Sequence, residues 1–288
     1  MRQGQSVKTL DKERKIGAAE SIGMTIVNGM ARHHAWRRSK PYFHLDLNAG
    51  SGWNDIAGCP GSPFVFLELA QQKITHLPLY AWFCDINPDT VGKLERLLVR
   101  HGHLPQLGVS LICDDNRSVI QRFAEQIRRR ERPEYALGSL LCDPNAWFHR
   151  NAKGEGVPVQ EILEFAAEFP RIDIILNVNY RIYHCHRGAG IKMPNSAHAR
   201  MLTPEQIRTA LGREHWLVSR QHHGPGDSFW LAIGRNCKTG DYTKLGLHHW
   251  ESEHGRMIMQ IVEGFRQGEL EVPRPVPLPL FHEHGAIA

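Results

Sequence analysis

Four acidic groups in this chain of 288 residues mark apolar runs: Asp46 lies within the first, before Leu47, and Asp85, Asp114 and Asp143 each follow one directly. The first run breaks into Asn48-Ala49-Gly50-Ser51-Gly52. Glycines this close to the end of an extended run turn the backbone tightly and let it approach a ligand. In doubly wound α/β sheets, ligands sit beyond the carboxyl ends of the strands. The turn is not a dinucleotide fingerprint, because the three-glycine spacing is missing and no helix follows at once. An acid that ends the second strand suits ribose hydroxyls, which makes Asp85 a candidate for a nucleotide-type ligand. Asp143 opens Asp143-Pro144-Asn145-Ala146-Trp147-Phe148, a carboxylate followed by two aromatic rings. Each feature alone has a plainer account, as a glycine loop, a helix cap or an Asp-Pro turn.

Their order in the chain gives them common ground. Strands are expected over 42–47, 80–84, 109–113, 137–142 and 172–177, so that successive acids converge on one edge of a sheet. Helical periodicity runs through Phe64 to Ala70, then through Val91, Leu94, Leu97 and Leu98, and on through 118–130 and 158–169. Thr203-Pro204-Glu205-Gln206 starts a further helix with proline in its first position. Runs over 215–220 and 228–234 flank a Gly-Pro-Gly-Asp turn and read as a terminal hairpin. Residues 11–36 form a helix through Ile22, Ile26, Val27 and Met30, expected beside the sheet edge with its basic end near the ligand-side loops. The domain expectation is a helical segment 1–40, an α/β domain 41–256, and a helix with a Pro-rich tail over 257–288.

Composition excludes several classes. With 41% hydrophobic and 23% charged residues, the chain carries enough apolar material for a sizeable core. No apolar run has bilayer-spanning length and the N-terminus lacks a secretory signal, so no membrane role and a cytoplasmic location are expected. Six cysteines without a Cys-x-x-Cys pair argue against a zinc ribbon or a disulfide framework. The 18 histidines show no ligand spacing, so no metal site is expected. A net charge of +5 is compatible with nucleic-acid binding. Arg37, Arg38 and Lys40 are its candidate phosphate contacts, with a second basic cluster at Arg128-Arg129-Arg130.

The acid-then-Gly-x-Gly turn, with acids ending the next strands, resembles class I S-adenosylmethionine methyltransferases. The segments FHLDLNAGSG, GSPFVFLELA, FCDINPDTVGKLERL, ICDDN and LLCDPN, in that order, are similar to the three-Cys-motif partner proteins over about residues 17–235. The resemblance implies a Rossmann-like class I methyltransferase fold with a mostly parallel seven-stranded sheet and a C-terminal antiparallel hairpin. It implies S-adenosylmethionine as cofactor, held by Asp46, Asn48, Gly50, Gly52, Ser62, Asp85, Asp114 and Asn116. Gly61 and Pro63 also match motif positions. In amine methyltransferases the residues matching Asp143 and Pro144 hold the exocyclic amine, while Trp147 or Phe148 would stack on the base. The chain departs from the family at Asn48, Ser51 and Asn145-Ala146, on the substrate side. The expected activity is methylation of a base amine in DNA or RNA, adenine foremost. The alternatives are a non-catalytic partner protein of a mobile-element or defence system, or a metal-dependent nuclease using Asp114, Asp115 and Asp143. Nucleic acid is the expected partner, with a protein partner as the second expectation.

Overall fold

The computed structural model describes residues 9–104, 108–143, 159–179, 204–222, 228–235 and 240–267. Its centre is β1 (Tyr42–Asp46), every residue of which is buried. This strand pairs in parallel with β4 (Leu79–Asp85) on one side and β6 (Leu137–Cys142) on the other. Further out, β5 (Val109–Cys113) joins β4 and β7 (Ile172–Asn179) joins β6, both in parallel. The hairpin β8 (His215–His222) and β9 (Ser228–Arg235) closes this half, with β9 inserted antiparallel between β7 and β8. A two-residue strand, β10 (His248–His249), pairs antiparallel with β8.

The sheet order is therefore β10-β8-β9-β7-β6-β1-β4-β5. Five parallel strands with a C-terminal antiparallel hairpin match the expected Rossmann-like class I methyltransferase fold, with one strand more than expected. The added strand is too short for any alternation of apolar residues to announce it. A second small pairing, β2 (Trp53–Asn54) with β3 (Cys59–Pro60), lies inside the loop after the glycine turn.

Alternation along β1 divides the core. Phe43, Leu45 and Leu47 face α4 (Asn116–Arg128) and α5 (Val159–Glu168), where Phe123, Ile127, Phe165 and Phe169 complete one cluster. Tyr42 faces the other way, into a cluster with Phe64, Phe66, Leu94 and Leu98 of α2 (Ser62–Lys73) and α3 (Pro88–Arg100). Helix starts follow local chemistry. Pro63 and Pro88 occupy first-turn positions, and Asn87 caps α3 by accepting from the Asp89 amide. The chain continues through α6 (Pro204–Leu211) and α7 (Glu253–Gln267).

The first helix departs from expectation. α1 (Thr9–His33) crosses the middle of the sheet, where Ile16, Ala19 and Ile22 pack on Leu141, Ile175, Leu217 and Ile233. A sheet edge offers less apolar surface, and the buried stripe of α1 is too long to be covered there. Gly17 lets the helix close on α2, since a Cβ there would lie 2.8 Å from Val65 Cγ1. A polar network also crosses this interface. Ser139 Oγ donates to Glu20 Oε2 at 2.7 Å and lies 2.9 Å from His44 Nδ1, all three residues buried. His44 stacks on Phe66 with centroids 3.6 Å apart, and burial lowers its pKa to about 3, so it is neutral. This Ser-His-Glu set has no access to solvent and serves packing.

Among the described residues, no helix is long and apolar enough to cross a membrane.

Candidate active site

The parallel strands set the polarity of the site. β1, β4 and β5 run outward in one direction from β1, and β6 and β7 in the other, so the switch of winding falls between β1 and β6. Crevices at such a switch, outside the carboxyl ends of the strands, are where open α/β sheets bind ligands.

On the β1 side the glycine turn is pinned at several points. Leu47 N donates to Leu141 O at 3.0 Å, Ala49 N to Cys84 O at 2.9 Å, and Gly61 N to Gly52 O at 2.9 Å. Gly50 (φ 61°) and Gly52 (φ 78°) occupy the left-handed region that side chains resist. At Gly52 there is no room either, since a Cβ would lie 2.5 Å from Leu94 Cδ1 and 3.0 Å from the Phe64 ring. Asp46 organises this turn from beneath. It is buried, accepting from Asn48 N at 3.0 Å through Oδ1 and from Ser62 Oγ at 2.6 Å through Oδ2. Burial raises its pKa to about 7 against the pull of those two hydrogen bonds, and the charges of Asp143 and Glu13 add to the rise. Asn48 Oδ1 lies 4.0 Å from Cys142 Sγ, which brings the turn against the end of β6.

The next two acids follow along the same edge. Asp85 is half-buried at the end of β4, and its Oδ1 accepts from Asn87 N at 2.8 Å. Asp114 Oδ1 accepts from Asp115 N at 2.7 Å, and its Oδ2 pairs with Arg122 at 3.0 Å. The amide bond is the main reason that its pKa lies below the ordinary value. Asn116 opens α4 and receives Cys84 Sγ at 3.5 Å. Thus Asp46, Asn48, Gly50, Gly52, Ser62, Asp85, Asp114 and Asn116 all belong to the carboxyl-end edge from β1 to β5. Asp46 and Ser62 work under the turn and not at its surface.

Across the switch, Asp143 has partners that sequence reasoning missed. Lys12 Nζ lies 2.5 Å from Oδ2, and Asn177 Nδ2 donates to Oδ1 at 2.6 Å. Glu13 joins the group, 3.4 Å from Lys12 Nζ. Burial works against the Lys12 ammonium, yet the charges of Asp143 and Glu13 outweigh it and hold its pKa above the ordinary lysine value. Burial raises Glu13 to about 7, with Lys12 opposing. Among the described residues, Glu13 Oε2 is buried without a hydrogen-bond partner. One signal pointed here: Glu13 and Glu20 fall in register with Ile16, Met24 and Val27, placing two acids on the apolar stripe of α1. Pro144, Trp147 and Phe148 lie outside the described residues.

The basic candidates do not join this site. Arg37, Arg38 and Lys40 precede β1 and therefore lie at the opposite end of the sheet, which corrects the expectation that they border the ligand-side loops. Arg37 is also fully buried and donates to Pro41 O at 3.2 Å, so no phosphate can reach it. Arg38 is spent on α1, donating to Ala31 O and Arg32 O. The carboxylates of the nuclease alternative are spread out as well. Asp114 follows β5 and Asp143 follows β6, three strand spacings apart or roughly 14 Å, where two-metal chemistry needs ions about 4 Å apart. Among the described residues no group of three or more His, Cys, Asp or Glu could hold a metal ion.

No family model matches the chain, that of the three-Cys-motif partner proteins included, and no curated protein matches it. Among solved structures, a Legionella pneumophila protein of the DUF519 family is similar over 87% of this chain and 92% of its own, at 10% identity and TM-score 0.45. Magnesium protoporphyrin IX methyltransferase from Synechocystis, with bound S-adenosylhomocysteine, is similar over 78% of this chain and 85% of its own, at 13% identity and TM-score 0.42. An S-adenosylmethionine-dependent methyltransferase from Agrobacterium tumefaciens is similar over 72% of this chain and 62% of its own, at 14% identity and TM-score 0.40. Likeness at this level says nothing of activity, and the fold is read from the strand order itself.

Proposed function

We propose that this protein is an S-adenosylmethionine-dependent methyltransferase acting on an exocyclic base amine of nucleic acid, adenine in DNA or RNA foremost. The observation that carries this reading is the pairing of two features across the β1/β6 switch. A rigid glycine turn leaves β1 on one side, and Asp143 leaves β6 on the other.

The residues present suit the cofactor. Asp85 lies beside the turn, where ribose hydroxyls need an acceptor, and Asn116 offers an amide for the adenine end. The amino-acid end of the cofactor carries an ammonium and a carboxylate. Glu13, with one buried oxygen lacking a partner among the described residues, matches the first, and the adjacent Lys12 matches the second. When bound, the cofactor supplies a methyl group on a sulfonium, so the protein's part is positioning and electrostatics. An ionised carboxylate offers about four acceptor sites, and Lys12 and Asn177 occupy two on Asp143. The rest can take an N–H of the incoming amine and steady the positive charge that develops on its nitrogen. In this reading the Pro144 carbonyl aligns the amine, and Trp147 or Phe148 stacks on the base.

Calorimetry with S-adenosylmethionine, followed by methyl transfer to DNA and to RNA, tests the proposal. Binding together with transfer supports it; no binding by the folded protein overturns it. The grip of Lys12 and Asn177 on Asp143 favours a second reading, a methyltransferase-like partner protein without turnover. Cofactor binding with no transfer to either nucleic acid would select it.

A further inference from the structure

The opposite end of the sheet carries a pocket of about 670 Å³. Lys40, Arg130 and Arg132 line it together with Trp36 and Tyr135, and among the described residues Glu131 is the one acid in the lining. Both rings stand out to solvent, Trp36 at 53% and Tyr135 at 40% exposure. Neither ring belongs to a core cluster, and Arg171 lies 5.5 Å over that of Tyr135. Glu131 is buried and fixed by Lys40 at 3.1 Å, which neutralises it. Arg128 is held by Glu168 through two bonds. Among the described residues, Arg130 lies 4.3 Å over the Tyr80 ring and donates to the neutral Gln126 amide, with no carboxylate paired to it, and Arg132 reaches Glu134 at 3.9 Å. Arg37, fully buried, adds a positive charge that acts on Glu131. Exposed rings interleaved with under-compensated guanidinium groups suit a ligand with flat faces and phosphates.

We propose that this pocket is a binding subsite for single-stranded nucleic acid, separate from the site at the carboxyl ends of the strands. The two ends of β1 and β6 are roughly 20 Å apart at about 3.3 Å per residue, so a strand must span several nucleotides to touch both. An acidic protein would use the cations but leave the rings idle.

Fluorescence anisotropy of the full chain with a labelled twenty-nucleotide RNA strand, its DNA counterpart, and polyglutamate of matched charge tests the proposal. Binding of RNA or DNA is expected to exceed that of polyglutamate, the two strands showing which nucleic acid is preferred. Arg130→Gln with Arg132→Gln should weaken strand binding about tenfold and make the salt slope shallower by roughly 1.4, for two phosphates at about 0.7 each. Trp36→Ala should weaken binding with the salt slope unchanged. All three side chains are exposed, and unaltered thermal unfolding checks that the variants fold. Wild-type affinity in both variants, no strand binding by the wild type, or equal binding of polyglutamate overturns the proposal. Strand binding here needs no methyl transfer. Cofactor affinity, unchanged in these variants, separates its failure from that of the activity proposed above.

Discussion

Lys12 Nζ lies 2.5 Å from Asp143 Oδ2, joining the first helix to the end of β6 across 131 positions of sequence. Both side chains are mostly buried, at 16% and 13% exposure. Breaking a buried pair by removing one partner leaves an uncompensated charge. Asp143→Ala is therefore expected to lower the unfolding free energy by roughly 3 kcal/mol in denaturant titration. Asp143→Asn keeps the shape and an acceptor for Asn177, and should cost less. If Asp143 meets the amine, Asp143→Ala also abolishes methyl transfer with cofactor affinity nearly intact, while Asp143→Asn retains part of it. Full transfer by the Ala variant would remove Asp143 from the chemistry.

Gly50 and Gly52 separate backbone strain from crowding. Both have positive φ, but space around Gly50 is open and that around Gly52 is filled by Leu94 and Phe64. Gly50→Ala should cost about 1 kcal/mol, the left-handed penalty alone. Gly52→Ala should cost about 3 kcal/mol, because overpacking adds to it. Equal midpoint shifts for the two would show that the contacts at Gly52 yield freely.

Asp85→Ala should weaken S-adenosylmethionine binding by roughly 1.5 to 3 kcal/mol in calorimetry, the range for a lost hydrogen bond to a charged group. Unchanged affinity in a folded variant sinks the ribose assignment.

Glu13 gives a pH signature. Burial raises its folded pKa to about 7 from an ordinary 4.5, so the folded state holds a proton that the unfolded state has released. Its contribution is complete below pH 4.5 and is lost as pH climbs through about 7, with a slope of at most about 1.4 kcal/mol per pH unit. His44 works the other way, since its lowered pKa removes stability as pH falls below 6.5. The difference between wild type and Glu13→Gln isolates the first effect. Urea unfolding from pH 4 to 8 should show the variant gaining on wild type as pH rises. A constant gap would mean that Lys12 holds Glu13 ionised throughout.

Much of the local structure was legible in the sequence. Apolar runs ending before an aspartate marked the strands at 109–113 and 137–142 to the residue, while helical periodicity found α2 and α3 two residues after their true starts. The glycine turn and the acids at successive strand ends followed from spacing alone, because each depends on neighbours a few positions away. The basic segment was misplaced at the ligand-side loops, although a segment that precedes a parallel strand lies at the end opposite to the turn that leaves it. What only the tertiary structure decided was partnership between distant segments. A helical stripe states which face is buried but not what covers it, so α1 could be assigned a face and not its seat across β6 to β9. Lys12 and Glu13 became site residues only through that seat, which sets them against Asp143. Arg37 changed from a surface cation to a buried one for the same reason: its bond to Pro41 O is local, but Glu131, whose charge acts on it, lies far along the chain. Charge is written in the sequence, but the dielectric around it and the partner opposite it are properties of the packed chain.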